Sequence, residues 1–517
     1  MRRTLFSSDL ERRRFLGHIV RGVVDVLREE QGLADEDCYH AFARLLSRIK
    51  TNYQLAELLR TEGYSEWVDA VAQFTVASCS KPTWSSNSLH YVLGLWSRLV
   101  ASVPYVKLEA SGSSTGGAPP ATTPDILLDK YVPQIVAAYV RGRVDSLVGA
   151  DVETALAELD DLDALEDQLD QLPGICRFAY EAVTASIIAI MDPLQARYSE
   201  GLAYLRSLPP GANAESVLAA IRVTECQLAW LVAIIGSIIS GAGQSSAAGG
   251  YYLPTAVSAA GGASGNGVVG TDEATCDADL CRRVLLLMSQ AEMRVSSAAA
   301  GASAAAAASS PLVRMMRVDP RLELAFVYFM SSFRRAYINE QSGMPAGTQS
   351  DSAATASRVA AAAGMLSPAA STPVQQNGTV ASGSTPSVNA SLAEQYAGAT
   401  GRHKVFLQVF MRMGLGDHFV VVTTLLQKAA SNLRFWVDRE DIIRRTLDVL
   451  HDLVFSYTSG RMLLGLETVS TLLVKHTPEY FPFLATPAHS RHRTTFYTTL
   501  GRLVFMEEDS EVRGICC

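Results

Sequence analysis

Apolar residues return at steps of three and four from one end of this chain to the other, and a chain written in that period buries its oily side as helices laid against helices. The stretch "SSNSLHYVLGLWSRLVASVPYVK", Ser85 to Lys107, shows the pattern. Leu89, Val92, Trp96, Leu99 and Val103 share one helical stripe; Asn87 or Ser88 is placed to cap its start, and Pro104 predicts an end near Val103. His90 falls on the flank of the stripe beside Tyr91, a position that suits a surface or partly packed histidine better than a catalyst.

The same writing recurs. "RRRFLGHIVRGVVDVLREE" sets Phe15, Leu16, Ile19, Val23 and Leu27 on one side; "CYHAFARLLSRIKTNYQLAELL" does so with Tyr39, Phe42, Leu45, Leu46 and Ile49. "YSEWVDAVAQFTV" adds Trp67, Val71 and Phe74. "LLDKYVPQIVAAYVRGRVDSL" adds Tyr131, Ile135, Tyr139 and Leu147 despite Pro133, and "GICRFAYEAVTASIIAIM" continues the series. Further on, "DADLCRRVLLLMSQAEMR", "LELAFVYFMSSFRRAYI", "DIIRRTLDVLHDLVFSY" and "RTTFYTTLGRLVFM" read as helices with Arg, Asp and Glu on the wetted side. The β-branched run in "HFVVVTTLLQ" favours a strand locally, but helical neighbours on both sides predict a helix.

Four stretches rich in Ala, Ser, Gly, Thr and Pro interrupt the series: 110–123, 241–275, 298–310 and 341–397. They carry too little apolar bulk to offset ordering entropy and are expected as flexible insertions, although the alanines of the third suit a helix extension. The expected organisation is therefore helical repeats over 1–109, an insertion over 110–124, repeats over 125–240, an insertion over 241–275, repeats over 276–340, an insertion over 341–397, repeats over 398–508, and a tail over 509–517. Helices of this length in pairs predict an all-α HEAT-repeat solenoid of the armadillo-like kind, each pair burying its stripe only against the next.

Composition bounds the partners. At 517 residues and 48% hydrophobic the chain can bury a continuous core, and a formal net charge of -8 offers no basic field for a phosphate backbone, which argues against nucleic acid. The start, "MRRTLFSSDLERRRFLGHIV", breaks its apolar residues with charges, so no secretory signal is read. The longest apolar block, Leu228 to Ile239, is shorter than the roughly 20 residues a bilayer span needs, so a buried helix is expected and no membrane partner. Cysteines 38, 79, 176, 226, 276, 281, 516 and 517 are scattered, several within apolar helical patterns, as reduced core residues are. The glycosylation matches at Asn377 and Asn389 carry no weight without secretion.

A search for chemistry finds no enzyme. "GNGVVG", Gly265 to Gly270, has the dinucleotide-loop spacing but follows a linker where that motif needs a strand, so no cofactor is expected. Cys276 and Cys281 are a lone pair at a linker edge, too few for a metal shell. His489, Arg491, His492 and Arg493 cluster in "HSRHRTTFYTTLGR", which suits an acidic partner or phosphate and equally a cationic helix start facing solvent.

The acidic piece "ADVETALAELDDLDALEDQLDQL", whose carboxylates span 151–170, interleaves them with Leu156, Leu162, Leu165, Leu169 and Leu172. A solvated helical face is the default reading. The alternative is a docking strip for a basic partner, through Glu158, Asp160, Asp161, Asp163, Glu166, Asp167 and Asp170.

Five segments in series, "YHAFARLLSRIKTNYQLAELL", "NSLHYVLGLWSRLVASVPYVK", "DQLDQLPGICRFAYE", "QLAWLVAIIGSIISG" and "RHRTTFYTTLGRLVFMEED", resemble the middle portion of the exportin-7 receptors, nuclear transport receptors (karyopherins) of the importin-β superfamily. The resemblance runs from about Leu5 to Glu508. It implies a HEAT-repeat fold, binding of protein cargo together with the GTP form of Ran, contact with FG-repeat nucleoporins, and shuttling between nucleus and cytoplasm through the nuclear pore complex. It also implies recognition of folded, basic cargo surfaces more than of a linear leucine-rich signal, which the acidic strip would suit. The chain matches neither the N-terminal block that forms the main Ran-binding surface in such receptors nor their C-terminal arm, so it is expected as a central, cargo-binding portion with little Ran affinity of its own. A helical-repeat scaffold without transport activity is the alternative.

Overall fold

The computed structural model describes residues 6–112, 127–148, 152–207, 215–241, 271–338, 409, 412–413, 418–455, 463–464 and 466–515, and among these every regular element is helical. The chain divides into two compact units, Met1–Asn266 and Gly267–Cys517. The fold is the expected all-α, HEAT-type helical repeat, in which helix is covered by helix.

In the first unit α1 (Asp9–Glu29), α2 (Glu36–Asn52), α3 (Leu55–Leu59), α4 (Tyr64–Cys79) and α5 (Pro82–Gly112) are followed by α6 (Leu128–Asp145), α7 (Val152–Asp160), α8 (Leu162–Leu169), α9 (Leu172–Phe178), α10 (Tyr180–Ser207) and α11 (Glu215–Ser240). Side chains set the starts of α1 and α2: Ser8 accepts from the Glu11 N–H at 3.2 Å and Asp35 from the Cys38 N–H at 2.8 Å. α1 packs on α4, α2 on α5, α4 on α6, and α6 on α10 and α11.

The stripe of α5 is buried as expected, and Trp96 donates its indole N–H to the Thr75 hydroxyl at 2.9 Å. Its ends differ. The helix opens at Pro82, where the missing N–H costs nothing because first-turn donors have no partner, and it runs through Pro104 to Gly112. Proline removes one hydrogen bond, at about 3 kcal/mol, and its φ is already helical; the burial of Leu99, Val100 and Val103 offsets that cost and the helix continues past it. Asn87 and Ser88 therefore lie within the helix and not at its start, and His90 is exposed.

Two other stripes are rotated from expectation. In α1 the fully covered positions are Leu16, Val20, Val23 and Val24, with Phe15, Ile19 and Leu27 half-buried, and in α2 Leu45 is exposed while Ala43 is buried. The segment read as one helix around Phe178 is two, bent by 118° at Ala179. α11 is 26 residues, long and apolar enough to cross a bilayer, but Leu228 to Ile239 are covered throughout by protein.

The second unit contains α12 (Thr271–Ala299), α13 (Ala304–Ser309), α14 (Pro311–Met316), α15 (Pro320–Tyr337), α16 (His418–Phe435), α17 (Glu440–Phe455), α18 (Glu467–Val474), two 3₁₀ turns (Pro482–Ala485 and Pro487–His489) and α19 (Ser490–Ile515). The β-branched run lies in α16, as the neighbours required. The alanine stretch 298–310 is helical in part, Ala307 being fully buried. α12 begins at Thr271 and α19 runs to Ile515, so helix extends past the boundaries expected at 275 and 508. Cys276 and Cys281 are buried on α12 rather than edging a linker. "GNGVVG", Asn377 and Asn389, and most of the stretches 110–123, 241–275 and 341–397, lie outside the described residues.

Charged residues also enter the core, against the expectation that Arg, Asp and Glu stay on the wetted sides. Glu323 heads the stripe Phe326, Met330, Phe333, Tyr337 of α15 and is 1% exposed, and Asp277 is buried on α12. The histidine cluster is also packed. His489 lies 2.7 Å from the Val437 carbonyl through Nε2, His492 lies 3.3 Å from Glu440 Oε1, and Arg493 donates to the Thr486 carbonyl at 2.9 Å. These contacts fasten the start of α19 to the α16–α17 connection and leave Arg491 exposed, so the cluster is not a solvent-facing cationic start.

Candidate protein-interaction surface

The acidic segment folds as two short helices with a defined break. Asp161, at φ -94° and ψ 78°, leaves the helical region between α7 and α8, and its carboxylate turns back to accept from the Ala164 N–H at 3.1 Å. An aspartate is suited to that position because its carboxylate satisfies one of the unpaired donors of a helix start and its charge favours the positive end of the dipole.

Leu165, Leu169 and Leu172 point inward, and the side chain of Leu162 lies outside the described residues. Ala155 and Leu159 of α7 and Leu165 and Leu169 of α8 are buried, both helices packing on α11, and the Ser237 hydroxyl of α11 donates to the Leu169 carbonyl at 2.7 Å. Leu172 is buried at the start of α9, and Leu156 is only half covered. Anchoring one face presents the other: Asp160, Asp161, Asp163, Asp167 and Asp170 are exposed and Glu166 is half-buried. Asp163, Asp167 and Asp170 follow at steps of four and three, hence on one side of α8. The sequence holds no lysine or arginine between Arg143 and Arg177, so no basic residue of this segment dilutes the charge. Like charges at these spacings repel by a few tenths of a kcal/mol per pair, and a cationic partner relieves that repulsion.

Glu158 stands apart from the other six. It forms an ion pair with Arg143 of α6, whose side chain is 2% exposed. Burial pushes the Glu158 carboxyl above its usual range, against the pull of the guanidinium. The guanidinium also lies 4.8 Å from the Trp230 ring and 5.5 Å from that of Tyr139, whose hydroxyl burial raises to about 12. The pair ties the acidic helices to the core; it is not part of the outward stripe. Arg143 went unremarked in the sequence, yet the signal was present: it continues the buried series Ile135, Tyr139 at a step of four.

Among the described cysteines only Cys38 is exposed; burial lifts the thiols of Cys79 and Cys176 to about 12, where neither is a nucleophile at neutral pH. Among the described residues no group of three or more His, Cys, Asp or Glu is arranged to hold a metal ion.

The profile of the family described as "Exportin-7-like, TPR domain" matches residues 147–249 and 261–492. Exportin-7-B of Xenopus laevis is 32% identical over 520 residues, covering 99% of this chain and 36% of its own length. Ran-binding protein 16 of Drosophila melanogaster is 32% identical over 517 residues, with 99% and 36% covered, and Exportin-7 of Dictyostelium discoideum 25% identical over 509 residues, with 98% and 39%. The chain thus spans little more than a third of the length of these relatives. No solved structure matches.

Proposed function

The chain belongs to the exportin-7-like family, and from that premise we propose that it is the cargo-binding, scaffold portion of a nuclear export receptor, meeting folded basic cargo through the outward aspartates of α7 and α8. The observation that carries the proposal is the division of faces in that segment: Leu159, Leu165 and Leu169 are buried and Glu158 pairs with Arg143, while Asp160, Asp161, Asp163, Asp167 and Asp170 are exposed on that fixed support. A charged surface of this kind speeds encounter and rejects acidic partners more than it adds affinity, so binding should weaken steeply with salt. The relatives named Ran-binding proteins support Ran as a partner of the whole receptor, and its GTP form is the form we propose. With Ran go contact with FG-repeat nucleoporins and shuttling between nucleus and cytoplasm. The role is that of a carrier without catalysis.

The test is charge reversal. The triple variant Asp163→Lys, Asp167→Lys, Asp170→Lys should bind a folded basic protein roughly tenfold more weakly at low salt, a change of about 1.4 kcal/mol, and should flatten the salt dependence. Unchanged affinity and salt slope would remove the stripe from cargo binding. Cargo retention equal with GTP-loaded and GDP-loaded Ran, measured in the full receptor, would favour a scaffold without transport.

A further inference from the structure

Within the unit Met1–Asn266 a cleft of about 1120 Å³ opens between α1, the α1–α2 connection, α4 and the end of α6. Its floor is apolar, with Val24, Tyr39 and Phe74 buried beneath Leu27, Leu33 and Ala77. The Tyr39 hydroxyl is bonded to the Ser78 hydroxyl, so the floor presents ring and not phenol to an occupant. At one end the wall is backbone: a Cβ on Gly142 would stand 1.9 Å from the Cys79 carbonyl oxygen, so α6 and α4 touch there main chain to main chain. The cleft is set by helix packing before anything enters it.

Two independent features give it a negative character. The first is the rim, where Glu30, Glu66, Asp69 and Asp145 stand against Arg28 and Lys81. Glu66 is bonded to Arg28 across α1 and α4, and Asp69 accepts from the Tyr131 hydroxyl at 2.6 Å. Among the described residues the carboxylates of Glu30 and Asp145, at the ends of α1 and α6, have no cationic partner. The second is helix direction. α1, α4 and α6 deliver their C-terminal turns to this cleft, through Glu30, Ser80 and Ser146, against the N-terminal ends of α2 and α5 at Ala34 and Lys81, which leaves the C-terminus of α6 in excess. Each C-terminus carries about half a negative charge on carbonyls that lack helical donors. Glu30 itself is held at φ 51°, a left-handed conformation that L side chains rarely adopt, which turns the chain end at the mouth.

We propose that this cleft receives an extended basic peptide segment of a partner protein, an apolar side chain on the Tyr39–Phe74 floor and Lys or Arg side chains meeting Glu30 and Asp145. The volume is at the upper end of the roughly 300–1,000 Å³ of small-molecule pockets, and the two acids without a cation, Glu30 and Asp145, stand at the ends of separate helices, an arrangement that matches successive side chains of a strand better than one small ligand. The site goes beyond the cargo surface proposed above and does not depend on it, since the α8 aspartates line no part of the cleft.

The test is fluorescence anisotropy of the full chain with a labelled nine-residue peptide alternating Leu and Arg, beside one with Glu for Arg and one with Ser for Leu. The Leu/Arg peptide should bind saturably and at least tenfold more tightly than either control. Ala77→Trp, which fills the floor from an exposed position, and the double variant Glu30→Lys, Asp145→Lys should each weaken it at least tenfold, with helical circular dichroism unchanged. The α8 triple variant should leave it unaltered, which separates this site from the cargo stripe. Absence of saturable binding, equal binding of the Glu peptide, or full binding by the double charge variant overturns the proposal; the double variant decides even if Ala77→Trp fails to fold.

Discussion

Arg143 in the unit Met1–Asn266 and Lys428 in the unit Gly267–Cys517 are buried to the same degree, each side chain 2% exposed, yet their charges are met in opposite ways. Arg143 has one carboxylate, Glu158, and spreads the rest of its charge over the faces of Trp230 and Tyr139. Lys428 has two, donating to Glu292 at 2.5 Å and Glu323 at 2.6 Å. A guanidinium is flat and delocalised, so aromatic faces suffice for most of it; an ammonium is a compact charge that must touch anions. The cost of that difference falls on the partners. Glu158 and Glu292 are 21% and 23% exposed and reach water, while Glu323 is 1% exposed and does not. Water access at the carboxylate, more than depth of the cation, should decide how much each ion pair matters.

The largest expected effect follows directly. Lys428→Met leaves Glu323 with no cation in a dry helix interface and should cost about 3–5 kcal/mol, seen as a lowered urea midpoint and faster amide exchange in α15 and α16. Adding Glu323→Leu removes the stranded charge and should return most of that loss, because apolar replacement of a buried ion pair is close to neutral. If the double variant is as unstable as the single one, packing and not desolvation holds this site together.

Arg143→Met should cost less, about 1–3 kcal/mol, because Glu158 can turn to water and Met still covers the Trp230 ring. The same urea titration, read from exchange in α6 and α11, checks it. A loss equal to that of Lys428→Met would break the comparison, since it would show that depth alone sets the cost.

Much of this was legible and part of it was not, for physical reasons. Helical period is a local property, so the body of α5 could be read from its own residues, and α16 from its helical neighbours against a valine run that favoured a strand. The ends of α5 could not, because the burial of Val103 that carries the helix past Pro104 comes from other helices. Polar residues on apolar stripes were a signal left unused: Arg143 after Tyr139, Lys428 after Val421 and Leu425, and Glu323 before Phe326 all sit where leucine would be expected. Their position announces a buried partner. Which partner is invisible in the chain, since Lys428 meets residues 136 and 105 positions away. The acidic helices show both sides: leucine spacing foretold which face is covered, while nothing local marked Glu158 as already paired.

The smallest effect is also the sharpest test of water access. Burial raises the Glu323 carboxyl above its usual range, with Glu292 adding to the rise and Lys428 opposing it. Lys428 stays charged: burial works against its proton, but the two carboxylates outweigh burial and raise its pKa. The folded chain therefore keeps a proton on Glu323 at pH values where the unfolded chain, releasing it near about 4.3, has lost it. Stability from this group is then full below that value and declines as pH rises through the raised one, the opposite of a carboxylate whose pKa is lowered. Subtracting the urea midpoints of Glu323→Gln from those of the wild type between about pH 4 and about pH 7 isolates the group from carboxylates such as Asp438, which Arg317 holds low. The difference should fall with pH. For Glu158→Gln it should fall in the same direction but less, because that carboxylate reaches water. Parallel curves for the wild type and Glu323→Gln would mean that Lys428 has fully compensated the burial of Glu323, and the contrast between the two buried cations would lose its cause.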